Sequence, residues 1–165
     1  MSLNKTLLTN FIDLNDADKL MTLDWRNNKN IRKWMYNSNV ISEKEHLAFM
    51  DTLRIDKTKQ YYLVSYKGKY IGVIYFTNID NLMRVTEFGL YSNPNLKGNG
   101  KMLMESICLY CFNILSLDKI IGEVFAENKR AITLYQFFNF EKIDENYHND
   151  KKIIYMELKN ENRKF

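Results

Sequence analysis

Apolar positions follow two different periods along this chain. Residues 5–13 alternate well enough to predict a first strand. Ala17 to Asn27 sets Leu20, Leu23 and Trp25 among polar residues, the spacing of a helix lying on a sheet. A second, short helix is predicted over Ile31 to Tyr36. Ser42, with Glu45 three residues on, spells a capping box ahead of a helix with Leu47, Met50 and Leu53 on its apolar face. The middle of the chain has period two. Tyr61 to Tyr66, Tyr70 to Ile79 and Leu82 to Tyr91 read as strands, linked by the turns Lys67-Gly68-Lys69 and Asp80-Asn81. An irregular stretch follows, then a helix over Lys101 to Leu115 and a strand over Asp118 to Phe125. A further helix lies within Glu127 to Asn139. Strands over Phe140 to Tyr147 and Ile153 to Leu158 flank a turn at His148-Asn149-Asp150. This order describes an α/β (α+β) chain with a mixed sheet and right-handed βαβ crossovers. No repeat or domain boundary interrupts it, so residues 1–165 are expected to form one domain.

Composition narrows the class. The chain is 45% hydrophobic and 27% charged, as a soluble domain that needs neither disulfide nor metal would be. Eleven Tyr and ten Phe imply a core dominated by rings. A net charge of +4 suits a nucleic-acid binder or an enzyme of polyphosphate ligands. No nucleic-acid-binding motif accompanies the charge, so that partner is not expected. The basic stretch from Lys159 to Phe165 is expected to fray in solvent. Cys108 and Cys111 have C-x-x-C spacing but sit inside an apolar helical run, with no second Cys/His pair. They read as buried reduced thiols, and no metal is expected. Free thiols, the lack of an apolar run of membrane-spanning length and the lack of a signal-peptide pattern point to a cytoplasmic protein without a membrane partner.

Two segments carry candidate chemistry. Lys97-Gly98-Asn99-Gly100-Lys101 lies between a predicted strand and a predicted helix. Glycines let backbone approach a ligand, and the first N–H groups of a helix lack internal partners, so such a turn can cradle a pyrophosphate. It can equally be only a turn. The P-loop and dinucleotide patterns are both absent. About thirty residues on, Glu127-Asn128 opens a helix bearing Ala131, Leu134 and Tyr135, which ends at Asn139-Phe140. Asn139 tolerates the left-handed helix stop.

Together these segments resemble the GCN5-related N-acetyltransferase superfamily. The loop matches its Q/R-x-x-G-x-G/A pattern with Lys97 first, Gly100 at the glycine, and Met102 where a small residue is usual. The second segment matches E-N-x-x-A-x-x-L-Y-x-x-x-G-F at Glu127, Asn128, Ala131, Leu134, Tyr135 and Phe140, with Asn139 for the glycine. This core spans about residues 60–158. Trp25-Arg26-Asn27, Ile31-Arg32-Lys33-Trp34-Met35 and Ile41-Ser42 with His46-Leu47-Ala48-Phe49 resemble a branch that acts on nucleotide-sugar amines and protein N-termini. The resemblance implies a central mixed, mostly antiparallel sheet of about seven strands flanked by helices. Residues 1–59 would supply a strand and substrate-covering helices. It further implies acetyl-CoA as cosubstrate, a UDP-linked amino-dideoxy sugar as acceptor, and direct attack on the thioester. A homodimer is compatible with it, and an acyl-CoA-binding sensor is the non-enzymatic alternative.

The residue roles follow from the same resemblance. The strand from Glu87 to Ser92 would splay from its neighbour, with backbone at Leu90, Tyr91 and Ser92 along the coenzyme. Lys97, Gly98, Asn99, Gly100 and Lys101 would take its pyrophosphate, and Asn128 would hold the cofactor through its side-chain amide. Tyr135 would be the general acid. The base would be Glu87 or His46, and His46 could instead bind substrate. Arg26, Thr77 and Tyr91 are the remaining candidates for the acceptor, Arg26 for its diphosphate.

Overall fold

The computed structural model describes residues 1–3 and 5–164. Its strands are β1 (Ser2–Leu3), β2 (Thr6–Asn10), β3 (Gln60–Tyr66), β4 (Lys69–Asp80), β5 (Val85–Ser92), β6 (Lys119–Phe125), β7 (Glu141–His148) and β8 (Lys151–Lys159). The helices are α1 (Asp16–Asn27), α2 (Lys29–Arg32), α3 (Glu43–Thr52), α4 (Gly100–Leu109) and α5 (Lys129–Phe137). The strands form one sheet in the order β1-β2-β3-β4-β5-β6-β8-β7. Every neighbouring pair is antiparallel except β5 with β6. The sheet is therefore mixed and mostly antiparallel, with eight strands where about seven were expected. The addition is β1, a two-residue strand paired to β2.

Two cores cover the two faces. On one, Tyr62, Ile74, Phe76 and Phe88 pack with Leu103, Met104 and Ile107 of α4 and Tyr135 of α5. On the other, Leu63, Val73 and Tyr91 pack with Phe11, Trp25 and Met50 beneath α1 and α3. Strand alternation sends Tyr62 and Leu63 to opposite sides, which makes both faces apolar. Lys67 and Gly68, both at positive φ, close the β3–β4 hairpin, and Asn149 and Asp150 do the same for β7–β8.

Several predicted bounds move. The first strand ends at Asn10, because Phe11–Asp13 turns as a 3-10 segment capped by the Asn10 side chain. The second helix is α2, ending at Arg32 rather than Tyr36. β5 begins at Val85, because Asp80 accepts from the backbone of Leu82 and Met83 and holds a turn there. The long helix changes to a π turn over Tyr110–Ile114, where the Tyr110 hydroxyl meets Tyr62 at 2.7 Å. The basic tail, expected to fray, packs instead. Arg163 donates to Asn113 at 2.6 Å, and Lys164 lies 3.7 Å from the Phe137 ring centre. Phe165 lies outside the described residues. Cys108 and Cys111 are buried and unpaired, and burial pushes the Cys108 thiol up to about 12. No described helix is long and apolar enough to cross a membrane.

Candidate active site

The parallel pairing of β5 with β6 runs only from Val85↔Lys119 to Phe88↔Gly122. Beyond it the strands part. Gly89 to Ser92 stay paired with β4 alone, and Glu123 to Phe125 with β8 alone. One edge of β5 thus presents unpaired backbone to a cleft of about 1530 Å3. Pro94 and the Gly-rich loop continue that edge. Gly98 takes φ +85°, and α4 begins at Gly100. Asn99, at its N-cap, makes no side-chain capping bond, whereas Asn15, Asn28, Ser42 and Asn128 each cap their own helix. The first amides of α4 therefore remain available to an anion. Lys97, Gly98 and Gly100 line the cleft and Asn99 does not. Lys101 lines it with its ammonium 3.7 Å from the Phe137 ring centre.

Tyr135 reaches the gap from the α4–α5 face. It is 5% exposed and packs on Phe88 and Phe140 at ring separations of 5.3 and 5.5 Å. Burial raises its phenol pKa, which keeps the proton in place. Its hydroxyl has no hydrogen-bond partner among the described residues. Gly122 makes room for it: a Cβ there would lie 2.8 Å from both the Tyr135 and Phe88 rings. Gly89 does the same for Tyr75, whose ring would meet a Cβ at 2.1 Å. A glycine inside a strand is the sequence signal of such close approach. Asn128 lines the cleft while its side chain accepts from the Ala131 amide at 3.2 Å, so it caps α5 as well.

The opposite face carries carboxylates. Glu87 pairs with Thr77 on β4 and Ile121 on β6, and alternation puts Glu123 on that same side. Glu87 accepts from Asn78 at 3.0 Å. Glu123 accepts a hydrogen bond from Tyr36, whose ring also packs against Phe125 and His148. Burial, with a smaller contribution from the charge of Glu87, raises the Glu123 pKa against the opposing Tyr36 bond. Glu123 was not among the sequence candidates, since its side depends on a register that spacing alone does not give.

Arg26, His46, Thr77 and Tyr91 line the same side of the cleft. Arg26 makes no ion pair among the described residues. Its Nη2 donates to the Asn37 carbonyl at 2.6 Å, while its buried Nη1 has no partner. Burial lowers its pKa, although the nearby tyrosines Tyr91, Tyr75 and Tyr61 oppose this. His46 is 5% exposed, and its Nε2 lies 3.1 Å from the Lys19 carbonyl. A carbonyl only accepts, so Nε2 carries the proton and ties α3 to α1. Burial lowers the His46 pKa and favours the neutral ring. The structure thus gathers all the sequence candidates except Asn99 along one cleft, with His46 already committed to a helix–helix contact.

The acetyltransferase (GNAT) domain family matches residues 6–141. The chain is 40% identical over 152 residues to the acetyltransferase PseH of Campylobacter jejuni, covering 92% of each. The crystal structure of C. jejuni N-acetyltransferase PseH in complex with acetyl coenzyme A superposes with a TM-score of 0.78 at 36% identity, over 93% of this chain and 98% of that one. A spermidine N-acetyltransferase from Vibrio cholerae, solved with CoA and spermine, reaches 0.85 at 22% identity over 96% and 97%, which speaks for the fold alone. The splayed strands, the open helix N-terminus and the buried phenol thus belong to an acetyl-CoA-dependent enzyme, and the chain is a member of the GNAT acetyltransferase family, in the group of the PseH acetyltransferases.

Proposed function

We propose that this enzyme transfers acetyl from acetyl-CoA to the 4-amino group of UDP-4-amino-4,6-dideoxy-N-acetyl-β-L-altrosamine, as in pseudaminic acid biosynthesis. One observation carries the chemistry. The gap between β5 and β6 has an unpartnered phenol, Tyr135, on one face and a carboxylate pair, Glu87 and Glu123, on the other. A thioester held in the gap would meet an amine arriving from the carboxylate side. Likeness to the PseH group and the cation-bearing, tyrosine-walled acceptor side support the sugar nucleotide.

Direct transfer needs a neutral amine, a stabilised oxyanion and a protonated leaving thiolate. Glu123 accepts the amine proton, since burial makes it a stronger base than an ordinary surface carboxylate. Glu87, beside it, favours that proton's arrival. Backbone N–H groups on the free edge of β5, around Leu90 and Tyr91, polarise the carbonyl. Tyr135 gives its proton to the departing sulfur as the C–N bond forms and the C–S bond breaks. The open N-terminus of α4 and the loop before it hold the coenzyme pyrophosphate, and Asn128 lies along its arm. Arg26, which lines the acceptor side and has an Nη1 without a partner, binds the acceptor.

An acceptor panel tests the reading. With acetyl-CoA saturating, 4-amino UDP-sugars, N-terminal peptides and spermidine are compared by thiol release. The expected result is the highest kcat/KM for the UDP-4-amino-4,6-dideoxy sugar. A higher value for a peptide or polyamine would reject the acceptor while leaving the acetyl donor untouched.

A further inference from the structure

Beside the acceptor side of the cleft lies a second, smaller hollow of about 310 Å3, lined by Lys29, Arg32, Lys33, Ser38 and Lys151. Lys33 lines both cavities, so they adjoin. Three of the cations come from α2 and the residue after it, and the fourth from the start of β8, more than a hundred residues away. None of the four forms an ion pair among the described residues. The lysines that have neighbours rest on rings: Lys33 lies 5.1 Å from the Trp34 ring centre and Lys151 5.5 Å from that of Phe125. Arg32 is fixed by donating Nη1 to the Ser38 carbonyl at 2.7 Å, which leaves its Nε buried without an acceptor. Four like charges drawn to one concavity repel each other, and a buried N–H without an acceptor costs free energy. An anion with several oxygens would relieve both.

We propose that this hollow is a phosphate-binding site and takes the diphosphate of a nucleotide-linked acceptor, an assignment that rests on the acceptor class proposed above. Diphosphate fits better than carboxylate, because its spread oxygens can meet ammonium groups from two sides while a guanidinium N–H donates from a third. Lys33 then guides the nucleotide from the hollow into the cleft, leaving the sugar amine at the carboxylate pair. Coenzyme A also carries phosphates, but its pyrophosphate has the loop and the open end of α4.

Isothermal titration of UDP and of inorganic pyrophosphate into the full chain, with coenzyme A saturating so that the α4 end is filled, tests this. The wild type is compared with the triple variant K29Q/K33Q/K151Q and, to guard against misfolding, with Lys151→Gln alone, at matched melting temperature. The expected result is a roughly tenfold or greater rise in Kd for both probes in the triple variant. Lys151→Gln should show part of that rise, with coenzyme A binding altered less than twofold. Unchanged affinity for UDP and pyrophosphate overturns the site. If instead only the preference for coenzyme A over its dephospho form disappears, the hollow serves the coenzyme and the assignment to the acceptor falls. Pyrophosphate binding needs no turnover, so failure of the proposed acceptor in the panel above leaves this result readable.

Discussion

Tyr135 makes the heaviest demand on its neighbours, because its ring occupies the space a side chain at position 122 would need. Gly122→Ala forces overpacking, expected to cost about 1–3 kcal/mol and to displace the phenol. A lowered Tm together with a lowered kcat checks this; a wild-type kcat would show that the phenol need not sit there. Tyr135→Phe keeps the ring packing and removes only the hydroxyl, so kcat should fall roughly a hundredfold or more while Tm holds. Full turnover at saturating substrates would exclude the acid role. For Glu123 the sign of the pH dependence follows from its surroundings. Burial favours the neutral acid, and only the carboxylate accepts a proton, so kcat/KM should drop on acidification through a pKa above the ordinary carboxylate value. Glu123→Gln should abolish that limb. If the limb survives, the base lies elsewhere, with Glu87 next in line.

At the scale of elements, His46 joins α3 to α1 through the Lys19 carbonyl. Its folded pKa lies below the unfolded value, so the native state resists protonation. This contribution is complete above about pH 6.5 and is lost as pH falls through the lower folded pKa. A Tm series from pH 8 to pH 5 should fall more steeply for wild type than for His46→Gln, and parallel curves would contradict it. Elements with local signals were legible. Ser42 and Glu45 make both bonds of the predicted capping box, and Asn139 adopts φ 68° at the predicted helix stop. The stretch after α2 was not legible, because its shape comes from distant side chains. Asn27 brackets the Ile41 backbone with two bonds of 2.8 Å, and Arg26 and Arg32 hold the Asn37 and Ser38 carbonyls. Periodicity carried the predicted helix on to Tyr36, whereas α2 stops at Arg32 and tertiary contacts impose a strap beyond it. Within the cleft, the Gly-rich loop and Tyr135 were readable as a spaced motif, while Glu123 and Tyr36 meet across 87 residues and needed the fold.

At the scale of the whole molecule, a coenzyme held in the gap between β5 and β6, as proposed above, should stabilise the fold globally. At a hundred times Kd the gain is about 2.7 kcal/mol, which for a chain of this size corresponds to a Tm rise of roughly 5–11 °C. A thermal scan with coenzyme A checks this, and a shift confined to local probes would argue against a shared cooperative unit.

The short β5–β6 pairing also bears on how the chain folds. Strands β1 to β5 each neighbour the next in sequence, whereas β6, β7 and β8 form a separate antiparallel group. Only four ladder pairs join the two groups, and the α4 crossover must close before they form. The short connections between β3, β4 and β5 have the lower loop-closure cost, so this three-strand meander should dominate the transition state, with the junction to β6 consolidating late. Conservative substitutions in the β3–β4 hairpin should then slow refolding, while those at Ile121 should chiefly speed unfolding. On this view the gap proposed to admit the coenzyme is also a kinetic seam between two folding units.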